Sequence, residues 1–510
     1  MVTPTRTSSI SRSIPPPVRG WNTASAISDM DPDMAVILDN WFPETEKIRL
    51  RPDHTSHATG LGGPVESLIP YNKADGTAQL FGAANGNIFN VSSSGAVGGA
   101  VVAGMTNDRW QHQQIDNDAG GEFLFLCNGD DAPRQYDGTT WTTSAATGPT
   151  MANLIWCQKH QQRLWFGEKA SLSGWYLGFN AISGTALEFN FAGVARRGGF
   201  IMAMGSWTRD GGAGPDDLAV FLTSEGEAIV YQGTNPASAS TWAIVGVFDI
   251  GRPIGRRCMI KAGADLIMVT EDGFVSAATI LSLDRSVAEA VAISRQINDA
   301  VNESVRANGT RFGWQPLLYP KGQMLIFNIP QSTTVSHQYV FNTLTQAPCR
   351  FKGINALCWG LLEDTAFLGD SDGVVHKFDT GAKTDNGSAI DGDVLPAFNY
   401  FGSMGRDKAF KLVEPIFESD GNPNATLDLN LDFQVKAPSG TPVASPTTSA
   451  TWGVSKWGSG LWGTSEQIFK GWRGVRGIGR AASLRIRVSS LTSRPSLIAT
   501  NYTFILGGQL

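Results

Sequence analysis

The chain has 510 residues; 42% are hydrophobic, 58 are glycine, only 17% are charged, and the formal net charge is −6. Glycine well above, and charge well below, the usual averages of roughly 7% and 25% exclude a coiled coil or a helical array. The 26 Phe, 15 Trp and 8 Tyr supply enough apolar surface to exclude wholesale disorder, which leaves a Gly-rich, aromatic-rich, mainly β protein.

Residues 1–18, rich in Ser, Thr and Pro and ending Pro15-Pro16-Pro17, read as an extended N-terminal arm. No apolar run follows Arg6, Arg12 and Arg19, so no secretory leader is expected, and no window is apolar for long enough to span a bilayer. Asp31-Pro32 has the form of an N-cap and first-turn proline, and Met34, Ala35, Ile37, Leu38 and Trp41 follow at helical spacing, so a short helix is expected there. Lys47-Ile48-Arg49-Leu50-Arg51 alternates apolar and basic residues, the pattern of a half-buried strand with a cationic outer face. These features form an N-terminal element over residues 19–60.

From 61 to 395 a loosely repeated hairpin appears. Leu80-Phe81-Gly82 leads through Asn85-Gly86 to Ile88-Phe89, and Val220-Phe221-Leu222 through Glu225-Gly226 to Ile229-Val230-Tyr231. Ile267-Met268-Val269 reaches Phe274-Val275 through Asp272-Gly273, and Ala366-Phe367-Leu368 reaches Val374-Val375 through Asp372-Gly373. Asn-Gly and Asp-Gly between β-type runs favour tight hairpins whose central residues take positive φ. With weaker relatives between them, the units recur every ~40 to 60 residues, which predicts a β-propeller of six to seven blades. A helix is expected within 285–306, from Val287, Val291, Ile297, Ala300 and Val301. A β-sandwich pair or a β-helix is the alternative architecture.

Beyond 395 a separate C-terminal β region (396–510) follows, with strands at Leu412 to Phe417 and Leu427 to Phe433 and a Pro/Ser/Thr linker at 437–451. Trp452, Trp457, Trp462 and Trp472 stand among glycines and read as a small packed core. Leu484-Arg485-Ile486-Arg487-Val488 reads as a strand with one apolar and one basic face. Residues 452–510 hold eight Lys or Arg against the single acid Glu466, a balance of +7, which leaves −13 on the remainder. This polarity points to a nucleic-acid or acidic partner.

Candidates for chemistry are few, and the expectation is a protein that is not an enzyme and has no cofactor or metal. His54-x-x-His57 lacks the Glu of a metalloprotease helix, and Asp370-Ser371-Asp372-Gly373 lacks the downstream acid of a calcium loop and reads as a turn. Asp216-Asp217 and Glu363-Asp364 are the acids a glycosidase reading would use, and they read better as solvated turns. The element Asp137 to Trp141 is similar to the repeated box of sialidase propellers, but it occurs once and lacks the leading Ser. The five cysteines form no Cys-x-x-Cys pair, which predicts buried free thiols in a reducing compartment.

The stretches Arg19-Gly20-Trp21-Asn22-Thr23, Met34 to Pro43 and Ile48-Arg49-Leu50-Arg51-Pro52 together resemble the opening of tail proteins of short-tailed bacteriophages. That family comprises tail tubular protein B-like nozzles and the tail-hub proteins also called packaged-DNA stabilisation factors. The Trp/Gly-rich stretch, the Leu484 to Val488 strand and the terminal Gly507-Gly508-Gln509-Leu510 are similar to it as well. Trp21 and Arg51-Pro52 stand where the family has Leu and Arg-x-Gly.

The resemblance implies a virion structural protein, made in the host bacterial cytoplasm, that assembles as a homohexameric ring below the portal and adaptor. It would line part of the DNA ejection channel, help retain packaged DNA, and meet the adaptor ring and tail fibre or needle proteins. It also implies that the two chain ends form a platform beside the propeller. Arg19, Lys47, Arg49, Arg51, Arg473, Arg476, Arg485 and Arg487 would then contact DNA or a partner ring non-specifically. A propeller that binds a receptor or glycan, or a glycan hydrolase, is the alternative function.

Overall fold

The structure is a computed structural model that describes residues 9–117, 121–210, 215–280, 292–439 and 466–509. The protein is mainly β and is built from many small sheets. Its chain divides into two compact units: unit 1 comprises residues 1–55, 338–354 and 379–510, and unit 2 comprises 56–337 and 355–378.

In unit 1, Ala35–Asp39 is a strand paired with Ile390–Pro396 on one side and, in parallel, with Pro348–Phe351 on the other. The helix expected at 31–41 is therefore corrected to two strands, Ala35–Asp39 and Trp41–Pro43. The spacing of Ala35, Leu38 and Trp41 matches a helix, but sheet partners on both sides of Ala35–Asp39 override it, and the β-branched Val36 and Ile37 pack well in a strand. Asn40, at φ 61°, separates the two strands, and its Nδ2 donates to the Asp391 carbonyl at 2.7 Å. The pairing also explains why 338–354 and 379–395 group with the chain ends: their strands flank Ala35–Asp39.

Ile390–Pro396 continues to Ala482–Ser490 and then Ala425–Leu431. A second sheet runs Trp41–Pro43, Ile48–Leu50, Ser496–Gln509 and Arg406–Ser419, with Gln467–Lys470 and Arg473–Gly479 on the far edge of Arg406–Ser419. Ile10–Ile14 of the N-terminal arm pairs with Thr500–Phe504, so this part of the arm is a strand added to the sheet. Trp41, Leu50, Leu484, Ile486, Val413, Tyr502 and Phe504 are all buried, each contributing roughly 1.5–3 kcal/mol of apolar burial. The Leu484 N–H donates to the Tyr502 hydroxyl at 3.1 Å, which ties the two sheets together.

Unit 2 is a succession of antiparallel meanders. Four have four strands each and begin at Val65–Asn72, Gln111–Asp116, Leu154–His160 and Ile201–Asp210. Met259–Ala262 opens a three-stranded sheet, and Gln315–Tyr319 pairs with Met324–Pro330. Cys358–Leu362 opens the last meander, which the earlier strand His54–Thr59 joins beside Val375–Phe378. The opening strand of each meander lies against that of the next, and Cys358–Leu362 lies against Val65–Asn72. Facing sheets bury aromatic-rich clusters such as Trp156, Trp165, Phe191, Phe221, Tyr231 and Trp242. Gly369 permits the closest of these approaches, since a Cβ there would sit 2.6 Å from Val65 Cβ.

All four expected hairpins form, but only Asn85-Gly86 takes positive φ at both turn residues, 54° and 71°. At Gly226, Gly273 and Gly373 the glycine alone does so, the pattern of a turn followed by a left-handed glycine. The described helix covers Asn298–Asn308, after a short 3-10 turn at Arg295–Ile297; the part of the expected helix before residue 292 lies outside the described residues. So do Trp452, Trp457, Trp462 and most of the expected linker, while Trp472 is exposed.

Candidate interaction surfaces

The basic residues singled out in unit 1 divide by what they touch. Arg51 is only 1% exposed. Its Nε donates to Asn40 Oδ1 (2.9 Å), its Nη1 to the Pro52 carbonyl (2.8 Å) and Asp385 Oδ1 (2.9 Å), and its Nη2 to the Lys352 carbonyl (3.1 Å) and Asp385 Oδ2. His54 completes the cluster on Asp385 at 3.0 Å. All five guanidinium donors are used, so the expected role of Arg51 as a DNA or partner contact is corrected: it locks the Pro52 turn to the segment around Asp385.

Arg485 is corrected in the same way. It is buried, and its Nε and Nη2 hold Asp393 bidentately at 2.8 and 2.6 Å. Arg487, on the same strand and half-exposed, shares Asp393 at 2.7 Å. Arg19 pairs with Asp31 at 2.9 Å, Arg49 with Glu44 at 3.2 Å and Lys47 with Glu418 at 2.5 Å. Arg473 is half-buried and Arg476 exposed on Arg473–Gly479. The structure thus groups Arg51 and Arg487 around one cavity of about 620 Å³, where Asp39, Asp385, Asp391 and Asp393 face them and Lys352. Burial pushes the Asp39 carboxyl up, but hydrogen bonds and charge from Arg350 and Lys352 hold it below the usual carboxylate range. Charges in this cavity are matched within the chain.

Unit 2 contains a different site, which the sequence reading missed. A cavity of about 450 Å³ is lined by Arg109, Arg256, Arg257 and Arg311, with Phe312 and Asp130. Arg109 and Arg257 both lie over the Phe312 ring, their guanidinium carbons 4.6 and 5.1 Å from its centroid. Glu66 neutralises Arg109 through two oxygens at 3.1–3.2 Å. Arg257 donates to the Glu66 carbonyl (3.0 Å), Gln315 Oε1 (3.3 Å), Ser67 Oγ (2.6 Å) and the Trp110 carbonyl (3.0 Å), all neutral acceptors. Burial, and to a lesser degree the neighbouring guanidiniums, depress the Arg256 and Arg257 pKa values. The adjacent Arg256-Arg257 pair before a strand, and Arg311-Phe312 after a helix, were the available sequence signals.

A narrower space of about 190 Å³ adjoins it, with Trp110, His112, Trp156 and Gln158 in its wall. A further cavity of about 500 Å³ shares Gln158 with it and is lined by Gln113, Gln161, Gln162, Lys159, His160 and Asp217. Burial and the Arg257 charge push the His112 pKa down to about 4, and burial does the same at His160 in spite of Asp217. Both rings are neutral at pH 7, and His160 Nδ1 meets Ser206 Oγ at 2.9 Å.

The remaining chemical candidates are turns, strand residues or buried groups. Asp370 accepts from the Asp372 and Val374 N–H groups, both at 2.9 Å, and faces His376 Nε2 at 2.7 Å, which makes it the organiser of a hairpin turn. Glu363 and Asp364 are exposed in the turn between Cys358–Leu362 and Thr365–Gly369. The turn expected at Asp216-Asp217 is corrected to part of the strand Pro215–Thr223; the Asp216 side chain lies outside the described residues, and Asp217 accepts from Thr208 Oγ1 on the paired strand at 2.6 Å. All five cysteines are free and buried, and burial raises the Cys258 and Cys358 thiols to about 12. Among the described residues no three His, Cys, Asp or Glu side chains gather as a metal site, and no helix is long and apolar enough to cross a membrane.

No family model matches the chain, and no curated protein aligns with it significantly. Among solved structures, the computationally designed Ika8 protein aligns at 10% identity and TM-score 0.36, covering 64% of this chain and 99% of its own. BBS1N in complex with ARL6DN, in lead- and mercury-soaked crystals, aligns at 9% and 8% identity with TM-scores of 0.40 and 0.41. These matches cover 64% of this chain and 95% and 96% of BBS1N.

Proposed function

We propose that the protein is a ring-forming structural subunit of a short-tailed phage tail, a nozzle or hub below the portal and adaptor through which DNA leaves the particle. In this reading unit 2 is a seven-bladed β-propeller whose last blade is completed by the strand His54–Thr59. Unit 1 is the platform. The observation that carries the reading is the composition of unit 1: the segments at both chain ends that resemble the tail family share one pair of sheets. Ala35–Asp39 and Ala482–Ser490 flank Ile390–Pro396 in one sheet, and Ile48–Leu50 pairs with Ser496–Gln509 in the other.

The exposed Arg476, with Trp472 and Ile478 beside it on the same edge, is what remains for contact with DNA or a neighbour once Arg51 and Arg485 are committed internally. Phosphate attraction by such residues is independent of base sequence and weakens with salt, which suits a conduit that must hold any sequence and release it. The test is co-sedimentation of the full chain with portal–adaptor rings of candidate short-tailed phages. Stoichiometric binding supports the reading, and failure to bind any of them counts against it.

A second reading is favoured by the amide-rich cavity at Gln113, Gln158, Gln161 and Gln162: the same tail component would hold sugar hydroxyls of a surface glycan there. Glycan-array binding abolished by Gln161→Ala would establish that role.

A further inference from the structure

Four guanidiniums converge on the 450 Å³ cavity of unit 2, and among the described residues only Arg109 forms an ion pair there, with Glu66. Among the described residues, the single hydrogen bond of Arg256 runs from Nη1 to the neutral Asn128 carbonyl at 3.0 Å. Arg311 is exposed and commits only its Nε, to Asn308 Oδ1 at 2.8 Å. Arg257 is saturated by neutral acceptors, so it contributes charge but offers few donors. The one acid in the wall, Asp130, already holds Lys169 at 3.0 Å and Asn107 at 2.7 Å. Among the described residues, Glu66 and Asp130 are the carboxylates that act on this cluster, bonded directly to Arg109 and Lys169, and the charges of Arg256, Arg257 and Arg311 exceed what these two acids offset. Keeping like charges close together in a partly desolvated space is unfavourable unless an anion enters.

We propose that this cavity binds the phosphate group of a small phosphate ester, with Arg256 and Arg311 as its ligands and Phe312 as its floor. A phosphate dianion presents several oxygens to two planar guanidiniums at once and offsets most of the surplus charge. A single carboxylate would offset only one charge. The volume leaves room beyond the phosphate for a sugar or a nucleoside. A DNA duplex is too wide to enter. The inference rests on unit 2 alone and is independent of the tail reading.

The test is isothermal titration of the full chain at low ionic strength with inorganic phosphate, ribose 5-phosphate, adenosine monophosphate and, as a dicarboxylate control, malonate. We expect one saturable site per chain that prefers the phosphate esters to malonate, with affinity falling about tenfold or more in Arg256→Gln and in Arg311→Gln. Arg311 is exposed, so its variant keeps the fold and loss of binding there cannot be unfolding; an unchanged melting temperature in the absence of ligand verifies this. Lys321→Gln, at an exposed position outside the cavity lining, should leave binding unchanged. No saturable binding, equal affinity for malonate, or full affinity in both arginine variants would overturn the proposal. Displacement of the nucleotide by a short DNA duplex would overturn the small-molecule assignment.

Discussion

Two arginine clusters, one in each unit, meet their counter-charges in opposite ways. In unit 1 the guanidiniums of Arg51 and Arg485 are buried, and each meets a carboxylate from a distant part of the chain: Asp385 lies 334 residues from Arg51, and Asp393 lies 92 from Arg485. In unit 2, Arg256, Arg257 and Arg311 gather on a cavity and their hydrogen-bond acceptors are neutral. A buried cation answered within the chain is a structural clamp, whereas a cluster only partly offset requires the rest of its counter-charge from elsewhere. The basic strands stand out in the sequence, whereas the cavity cluster comes together only in the fold.

The sharpest way to break this comparison is to remove one clamp. Arg51→Met strands Asp385 and Asn40 in a buried site, and the expected loss is about 3–5 kcal/mol of unfolding free energy by denaturant titration. A loss under about 0.5 kcal/mol would contradict the structural role.

Acid should distinguish the two units. In unit 2 the His112 and His160 pKa values are lowered to about 4, so the unfolded chain takes up protons below about pH 6.5 while the folded rings stay neutral. Stability of unit 2 should therefore fall as pH drops from 6.5 towards 4, by about 1–3 kcal/mol per histidine. In unit 1, Asp39 and Asp385 have lowered pKa values despite burial, because Arg350 and Lys352 hold the first and His54 and Arg51 the second. Their contribution is present above about pH 3.9 and is lost only as pH falls through the depressed folded values. Hydrogen exchange resolved by segment across pH 7 to 3 should show unit 2 loosening first; simultaneous loosening would remove the contrast.

A smaller effect is expected at Gly86, where φ is 71° and an added Cβ would lie 2.7 Å from the Met105 carbonyl oxygen. Gly86→Ala should cost about 1–3 kcal/mol in thermal unfolding. The smallest is expected at Arg476, exposed on its strand: Arg476→Ala should change stability by less than about 0.5 kcal/mol while reducing the salt-sensitive part of any ring or DNA association.

Much of the architecture was legible because it is local. Asn85-Gly86, Gly226, Gly273 and Gly373 mark turns by backbone conformation alone, and the alternation from Leu484 to Val488 marks a strand whose leucine, isoleucine and valine are indeed buried. The segment 34–41 has the apolar spacing of a helix, and the sheet partners that make it two strands lie hundreds of residues away in sequence. For the same reason the basic face of Leu484 to Val488 looked free: nothing near Arg485 in sequence announces Asp393. The strand made by Ile10–Ile14 was hidden by its polar composition, since an edge strand draws its stability from backbone pairing more than from apolar side chains.

A tail nozzle works only as a ring, so self-assembly is the property to measure. Native mass measurement of the purified chain, paired with class-averaged electron images, should find a closed ring of six copies with a central opening. A monodisperse monomer that stays a monomer at high concentration would contradict it.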